Sequence, residues 1–503
     1  IQTSNMTQES SYPSFTFGDN ESAVWYIEAG STPKLVISQE IVTYNSNQAN
    51  TEYMYYGLRN IRINIETVTD EGGHSTIITS YEIINAGYGS KNNPYLIYDI
   101  DTWNYYFTNE TTDYYRLISD IDFSSVNGNP VTSEYTFKGN LQGNNMDISG
   151  LMIYSGSSLY SIGLFKEFLS AEDVSIENSV RNIDLNIRSI LATKTVAVGG
   201  LAGIVEDFNI YNIDINGDGV IVVGANAVGG LAGIARGNVN IETITSNIGV
   251  NSTRTSSGYR YSIYLSKNND RDVSYNLNNV YYAGSVVGIL DGYQNANYNI
   301  NSNRDIASSS YFDVKDIKVT GNITAIGDTV GAVFGFVGER VRVSDVIADI
   351  SAGSISGAQY SALVAGENRG LIVDTIVNST TDTLFNNSSN VSSGVVGLNL
   401  GGYVENANAS INIIKTSGNA TVAGIIGRNI NGYVADSTFD GNLVGYFTGG
   451  IIGSNYDREA LINRLSGAGA IENESREAVP EDSLRYLNNG AVLDKISSVS
   501  ISL

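Results

Sequence analysis

Three oxygen-bearing side chains alternate in one short segment and are candidates for binding a cation. Asp214, Asn216 and Asp218 stand two residues apart and are followed by Gly219. Side-chain oxygens at positions one, three and five, followed by glycine, resemble the opening of a calcium loop. The twelfth position, where such a loop carries a bidentate glutamate, is Ala225. The segment therefore predicts either a weak Ca²⁺ site or a β-turn that uses the two glycines, and no other cofactor is expected.

The composition excludes most catalytic and metal sites that depend on histidine or cysteine. It has no cysteine and one histidine, His74, which follows Gly72 and Gly73. Without cysteine there is no disulfide, no thiolate nucleophile and no cysteine-ligated metal. A helical zinc-peptidase site needs two histidines and is excluded. The glycines beside His74 predict a hairpin turn rather than a catalytic base.

Paired carboxylates are the remaining route to catalysis. Asp99 with Asp101, and Asp120 with Asp122, would share a strand face, because alternate residues of a strand point the same way. Glycoside hydrolysis needs two carboxyls at a fixed separation. A structural role is the simpler interpretation of Asp120 and Asp122. We therefore expect no catalytic residues.

A polysaccharide-acting β-helix enzyme, a lyase or a glycoside hydrolase, is the alternative function. Such an enzyme would need acids and a basic residue along one groove. The nearest grouping in the sequence is Arg340 and Arg342 with Glu339 and Asp345. A solvated strand face explains the same residues.

A tyrosine-rich stretch near residues 249–283 is the main candidate for a binding surface. Tyrosine offers rigid, amphipathic contact area, and arginine adds planar donors. Long insertions between repeats often lie on a binding face. The alternative is a hairpin whose tyrosines pack against the wall of the fold. The candidate binding residues are Tyr259, Arg260, Tyr261, Tyr264, Tyr275, Tyr281 and Tyr282.

Acceptor motifs for N-glycosylation, Asn-x-Ser/Thr, are frequent, as in exported surface proteins. A chain rich in Asn, Ser and Thr also produces them by chance. The candidates are Asn5, Asn20, Asn109, Asn251, Asn322, Asn378, Asn386, Asn387, Asn390, Asn408, Asn419 and Asn473.

The balance of charge excludes several partners. The 503 residues include 52 Asp and Glu against 28 Lys and Arg, which gives a net charge of -24. Such a surface repels nucleic acids and anionic membranes, so neither is an expected partner. No apolar run approaches the roughly 18 residues of a transmembrane segment. Because the chain starts at Ile1 rather than Met, we expect a processed, exported product.

A glycine-punctuated motif recurs and predicts the elements that would position these residues. Most copies are spaced about 30 residues apart, with a longer gap on each side of one of them. Runs between the copies alternate polar and apolar residues, which indicates strands. One repeat cannot bury its own apolar face, so the pattern predicts an all-β parallel β-solenoid, with a Gly-rich β-sandwich or a propeller as alternatives. The central apolar residues of the motif are Leu164, Leu201, Leu231, Val286, Val333, Leu363, Val395, Ile425 and Ile451.

The motif resembles the GLUG repeat, most clearly where Leu201 and Leu231 stand in Gly-Leu-Ala-Gly. This repeat occurs in bacterial surface proteins, including adhesins and the N-terminal regions of streptococcal immunoglobulin A-cleaving metallopeptidases. The segment from Asn93 to Leu151 is similar to the entry of these proteins. The resemblance covers about residues 90–460 and implies a right-handed parallel β-helix at the cell surface. Peptidase activity is not implied, because the peptidase motif is missing.

Three regions are expected: an N-terminal β domain over 1–89, a solenoid of about nine GLUG-like repeats over 90–465, and a C-terminal cap or assembly segment over 466–503. We expect a non-catalytic extracellular or cell-surface protein, either an adhesin stalk or a structural subunit of a surface assembly or filament. Its expected partners are further copies of itself, other surface proteins or glycans.

Overall fold

The computed structural model describes side chains over eleven stretches of the chain. These are residues 89–91, 94–107, 112–170, 178–217, 219–253, 281–292, 312–379, 381, 384–385, 390–415 and 420–455. Elsewhere it describes only the backbone of the strands named below. No helix among these residues has the length and apolar character needed to cross a membrane.

The chain forms an all-β solenoid of about nine turns, which confirms the predicted fold class. One sheet takes a short strand from each successive coil, and neighbouring strands in it are parallel. In the described part of the chain its strands are Thr136–Phe137, Phe165–Leu169, Ala202–Glu206, Ala232–Arg236, Val287–Asp291, Phe334–Val337, Ala365–Asn368, Val396–Leu400, Ile426–Ile430 and Ile452–Asn455.

The repeats stack in register across both long gaps. Ala202 pairs with Ala232, and Ala232 pairs with Val287 on the far side of the tyrosine-rich stretch. Val287 then pairs with Phe334 across the second gap. Both gaps are therefore insertions, after which the coil returns to its register.

One repeat is shifted by a residue from its predicted alignment. Phe334 pairs with Ala365, and Ala365 pairs with Val396. Val364, not Leu363, therefore occupies the central position. The closing glycine of the motif packs against the previous coil and sets this register, and Ala365 directly precedes that glycine.

The remaining sides of the coils carry a second parallel sheet and a small third one. The third sheet contains Ile413–Ile414, Leu443–Gly445 and Ile471–Asn473. The strands of the second sheet are Tyr95–Ile97, Tyr114–Leu117, Ile121–Asp122, Asn140–Tyr154, Ser161–Ile162, Ser179–Leu191, Ala197–Val198, Asn209–Asn216, Ile221–Gly224, Ala227–Gly229, Asn240–Ser246, Gly249–Ser252, Tyr282–Gly284, Phe312–Gly331, Val341–Ala362, Leu371–Ser379, Val391–Ser393, Tyr403–Ile411, Thr421–Ala423, Tyr433–Ala435, Thr438–Asp440, Phe447–Gly449, Leu461–Asn463, Leu465–Ala468, Val492–Leu493 and Ile496–Val499.

The central residues of the repeats form one apolar column inside the coils. The closing glycines lie where successive coils touch, and a Cβ on Gly233 would stand 2.5 Å from the backbone N of Val198. Only glycine fits that contact without moving the backbone. The buried column consists of Leu164, Leu201, Leu231, Val286, Val333, Val364, Val395, Ile425 and Ile451.

Four buried asparagines, Asn368, Asn399, Asn429 and Asn455, form a ladder across successive coils. The Nδ2 of each of the first three donates to the Oδ1 of the next, at 2.9, 2.9 and 3.1 Å. Two of them also donate to a backbone carbonyl of their own bend at 3.0 Å. The pairing compensates the burial of the first three amides and favours one register. The Nδ2 of Asn455, at the end of the ladder, has no hydrogen-bond partner among the described residues.

A bend with left-handed backbone recurs from coil to coil. Asn and Asp tolerate positive φ better than other residues with a Cβ, which explains their recurrence at this bend. The residues, with φ from 47° to 59°, are Asn145, Asn182, Asn212, Thr243, Asp316, Asp345, Asp374, Asn406 and Asp436.

A short helix, Ile100–Tyr106, lies at the N-terminal end of the core and was not predicted. Its Trp103 is fully buried, with its ring centroid 4.7 Å from that of Phe107 and 5.5 Å from those of Phe123 and Phe165. This aromatic cluster fills the first coils of the solenoid. Two 3₁₀ turns, Phe123–Ser125 and Val131–Glu134, follow in the same region.

The two flanking regions are described only as backbone. Within 1–89, Trp25–Tyr26 pairs with Lys34–Leu35, and a four-stranded antiparallel sheet contains Gln39–Val42, Thr51–Tyr56, Ile61–Thr69 and Ser75–Ile83. His74 lies outside the described residues, between the last two of these strands. At the other end, parallel pairing continues past residue 465, where the cap was expected to begin, because Val492–Leu493 pairs with Leu461–Asn463.

Candidate functional site

The calcium candidate lies at the end of a strand. Asp214 and Asn216 belong to Asn209–Asn216, and Asp218 lies outside the described residues. No group of three or more His, Cys, Asp or Glu side chains suited to a metal ion occurs in the part of the chain that the structure describes. The calcium site stays a prediction.

Stacking places Asp214 at the end of a column of aspartates. Asp147 pairs with Asp184, and Asp184 with Asp214, on successive coils. The Oδ1 of Asp120 accepts a hydrogen bond from the Asp147 backbone N at 2.9 Å. Partial burial, followed by the charges of Asp214, Asp147 and Asp120, raises the pKa of Asp184 above its ordinary value. The column therefore stores like-charge repulsion at neutral pH.

Asp99 and Asp122, one member of each carboxylate pair, have structural roles. Asp99 caps the helix, with its Oδ1 accepting from the Thr102 backbone N at 2.7 Å, so the expectation that Asp99 and Asp101 share a strand face is wrong. Asp122 accepts from the backbone N of Ser124 at 2.8 Å and from its Oγ at 2.7 Å. These hydrogen bonds lower the pKa of Asp122.

The predicted basic and acidic grouping lies around one of the left-handed bends. Arg340 and Asp345 both have positive φ, of 60° and 55°. Arg342 lies beside Asp313 of the preceding coil. Burial raises the pKa of Asp313, and the charge of Arg342 opposes that shift.

Five of the seven residues predicted for the tyrosine-rich surface lie outside the described residues: Tyr259, Arg260, Tyr261, Tyr264 and Tyr275. The other two correct the prediction. Tyr281 and Tyr282 are only 8% and 2% exposed. Tyr282 lies in the strand Tyr282–Gly284, which pairs in parallel with neighbouring coils, and Tyr281 directly precedes it, so both belong to the solenoid wall and offer little contact surface. The alternative of a packed hairpin stays a prediction, because residues 254–280 lie outside the described residues.

Tyr282 belongs to a small outer core on the opposite face of the strands from the main core. Its hydroxyl donates to Glu367 Oε2 at 3.1 Å, and Arg369 forms an ion pair with Glu367 Oε1 at 2.7 Å. Its ring lies 5.3 Å from that of Phe336. Burial, followed by the charge of Glu367, raises the pKa of Tyr282 well above 10. Tyr282, Phe336 and Glu367 are buried, so their contacts stabilise the coil stack.

The described glycosylation candidates lie on the sides of the coils. Asn322 and Asn390 are exposed, whereas Asn251, Asn378 and Asn408 are partly buried. The side chains of the others lie outside the described residues: Asn5, Asn20, Asn109, Asn386, Asn387, Asn419 and Asn473.

A cavity of 260 Å³ opens on the first coils and was not predicted. Its wall is formed by two columns of side chains that run across three neighbouring strands. One column contains Tyr114, Asn140 and Ser179, and the other contains Arg116, Gln142 and Arg181. The lining residues in the described part of the chain are Lys91, Pro94, Tyr114, Tyr115, Arg116, Asn140, Leu141, Gln142, Ser179 and Arg181.

The polar groups of this cavity are held by neighbouring side chains. The Nη2 of Arg181 donates to Ser179 Oγ at 2.7 Å, and its guanidinium lies 5.6 Å from the ring centroid of Tyr211. Asn140 is only 6% exposed, and its Oδ1 accepts from the Ser179 backbone N at 3.0 Å. Gln142 Oε1 accepts from Asn182 Nδ2 at 3.0 Å. The cavity is therefore preorganised.

Sequence reasoning missed this cavity because its parts come from distant segments. Alternation puts Tyr114 and Arg116 on one strand face, and the same holds for Ser179 and Arg181. The strands of Arg116 and Arg181 lie on either side of the strand that carries Gln142. Their register is set by the glycine contacts and by insertions of unequal length. No local pattern shows that register.

No family model matches the chain, and no curated protein matches it. The GLUG resemblance therefore stays a prediction that rests on the repeated motif.

Proposed function

We propose that this chain is a non-catalytic protein of the cell surface, either an adhesin stalk or a structural subunit of a surface assembly or filament. The observation that carries the proposal is the unbroken parallel pairing from Thr136 to Asn455. Each coil hydrogen-bonds to the coils on both sides, and at about 4.8 Å per strand the ten strands span roughly 43 Å. A stack built by repetition in this way suits a rigid spacer.

Three of the described acids support a non-catalytic role. Asp99 and Asp122 cap local turns, and Glu367 is buried in an ion pair. Glycoside hydrolysis needs two accessible carboxyls that flank a substrate. The acids engaged in these contacts serve the fold instead.

An assay for depolymerisation separates this proposal from the enzyme alternative. The purified chain is incubated with polygalacturonate and with a neutral glucan, and polymer length is followed by size-exclusion chromatography. We expect polymer length to stay constant, as it does with heat-denatured chain. Progressive shortening by the native chain alone would refute the proposal.

A further inference from the structure

We infer that the cavity between Arg116 and Arg181 binds an acidic saccharide unit, a pyranose that carries a carboxylate. The inference goes beyond the proposed function. It uses the cavity alone and holds for a stalk and for an assembly subunit alike.

The charge of the lining points to an anion. Lys91, Arg116 and Arg181 line the cavity, and the described lining contains no carboxylate. The whole chain carries almost twice as many acids as bases, so this concentration of positive charge departs from its surroundings. The guanidinium group matches a carboxylate with two parallel donors. Arg116 and Arg181 lie two coil steps apart, roughly 10 Å along the stack, which leaves room for a ring above Gln142.

The amides of the lining point to a saccharide rather than to a bare anion. The Nδ2 of the buried Asn140 has no hydrogen-bond partner among the described residues, although its Oδ1 is paired. A buried donor without an acceptor costs about 1–3 kcal/mol, which a ligand oxygen would recover. Gln142 Oε1 accepts one hydrogen bond from Asn182 and keeps a second lone pair for a ligand hydroxyl, whereas sulfate and phosphate take donors only. Tyr114 adds an aromatic surface for the apolar face of a pyranose.

Calorimetric titration of the full chain with sodium glucuronate tests the inference, with glucose as the matched neutral sugar. We expect glucuronate to bind, glucose to bind at least about tenfold more weakly, and the affinity for glucuronate to fall with added salt. Equal affinities for the two sugars would overturn the role of charge. Displacement of glucuronate by an equal concentration of sodium sulfate would show recognition of charge alone and overturn the saccharide assignment.

The substitution Gln142→Glu places a carboxylate of the protein in the cavity, where it competes with the carboxylate of the ligand for the two arginines. Glutamate keeps the oxygen that accepts from Asn182 and lies between two arginines, so we expect normal folding and about tenfold or greater loss of glucuronate affinity. Gln359→Glu makes the same change on an exposed strand outside the cavity lining and should bind like the parent. Thermal melting verifies that both variants fold. Unchanged binding by folded Gln142→Glu would overturn the site, and that result would not depend on the depolymerisation assay.

Discussion

Individual residues acquire their roles here from the column in which they stack. Alternation in the sequence indicates which face of a strand a residue occupies, and for Asp184 and Arg181 that face could be predicted. The residue that stacks beside it in the next coil could not be predicted, because that pairing depends on how many residues each turn and insertion contains. The aspartate column, the asparagine ladder and the cation-lined cavity are all consequences of that register.

Substitution of Asp184 tests whether repulsion between stacked aspartates lowers the stability of the protein. Its folded-state pKa is raised, so as pH increases the unfolded chain loses this proton before the folded chain does, and stability falls across that window. The substitution Asp184→Asn should therefore stabilise the protein at pH 7 by a few tenths of a kcal/mol, because the group is partly exposed and screened. The gain should shrink as pH falls toward the ordinary aspartate pKa of about 3.9 and vanish about one unit below it, where the parent carboxyl is protonated in both states.

Urea unfolding at low and high salt measures this effect. Asp440→Asn removes an equal charge from an exposed position outside the column and serves as the control. The gain for Asp184→Asn should shrink with salt. A gain equal to that of the control, or one that persists at low pH, would show that repulsion within the column is absent.

At the scale of elements, the spacing of the glycines predicted the coils, whereas the apolar pattern did not predict the helix. The closing glycines fix the contact between coils, which is why their recurrence identified the solenoid despite two insertions. The helix Ile100–Tyr106 is too short for an amphipathic period, and its signal was the pairing of Asp99 with Thr102. The one-residue shift at Val364 arose because spacing between apolar residues is a weaker guide than the glycine contact.

Removal of the Trp103 ring, which the helix Ile100–Tyr106 buries, should expose the N-terminal end of the core. We expect Trp103→Ala to cost about 3–5 kcal/mol, as is usual for a buried tryptophan. Because coils contact only their neighbours, the loss should be greatest in the first coils. Hydrogen exchange should show reduced protection in Tyr114–Leu117 and little change in Ile426–Ile430.

Tyr105→Ala is the matched control for this variant. Tyr105 belongs to the same helix but is 75% exposed, so its substitution should change stability by less than about 0.5 kcal/mol. If the two variants lose protection equally, the helix does not act as a cap through its buried ring.

At the scale of the whole molecule, the repeats were enough to predict the fold class. A regular repeat length and one apolar face per repeat together indicate a stack of similar coils. The function does not follow in the same way, since it depends on the cavity and on surfaces that repetition does not specify. The proposed role combines a stiff body of about nine turns with one positively lined cavity near its N-terminal coils. A stalk and an assembly subunit both require that this body lie outside the cell.

Immunogold labelling of the cells that make this protein tests the central claim most directly. An antibody against the purified chain is applied to intact cells and, in parallel, to permeabilised cells. The proposal predicts dense label on the surface of intact cells, with little increase after permeabilisation. Label that emerges only after permeabilisation would place the protein inside the cell and contradict a surface role.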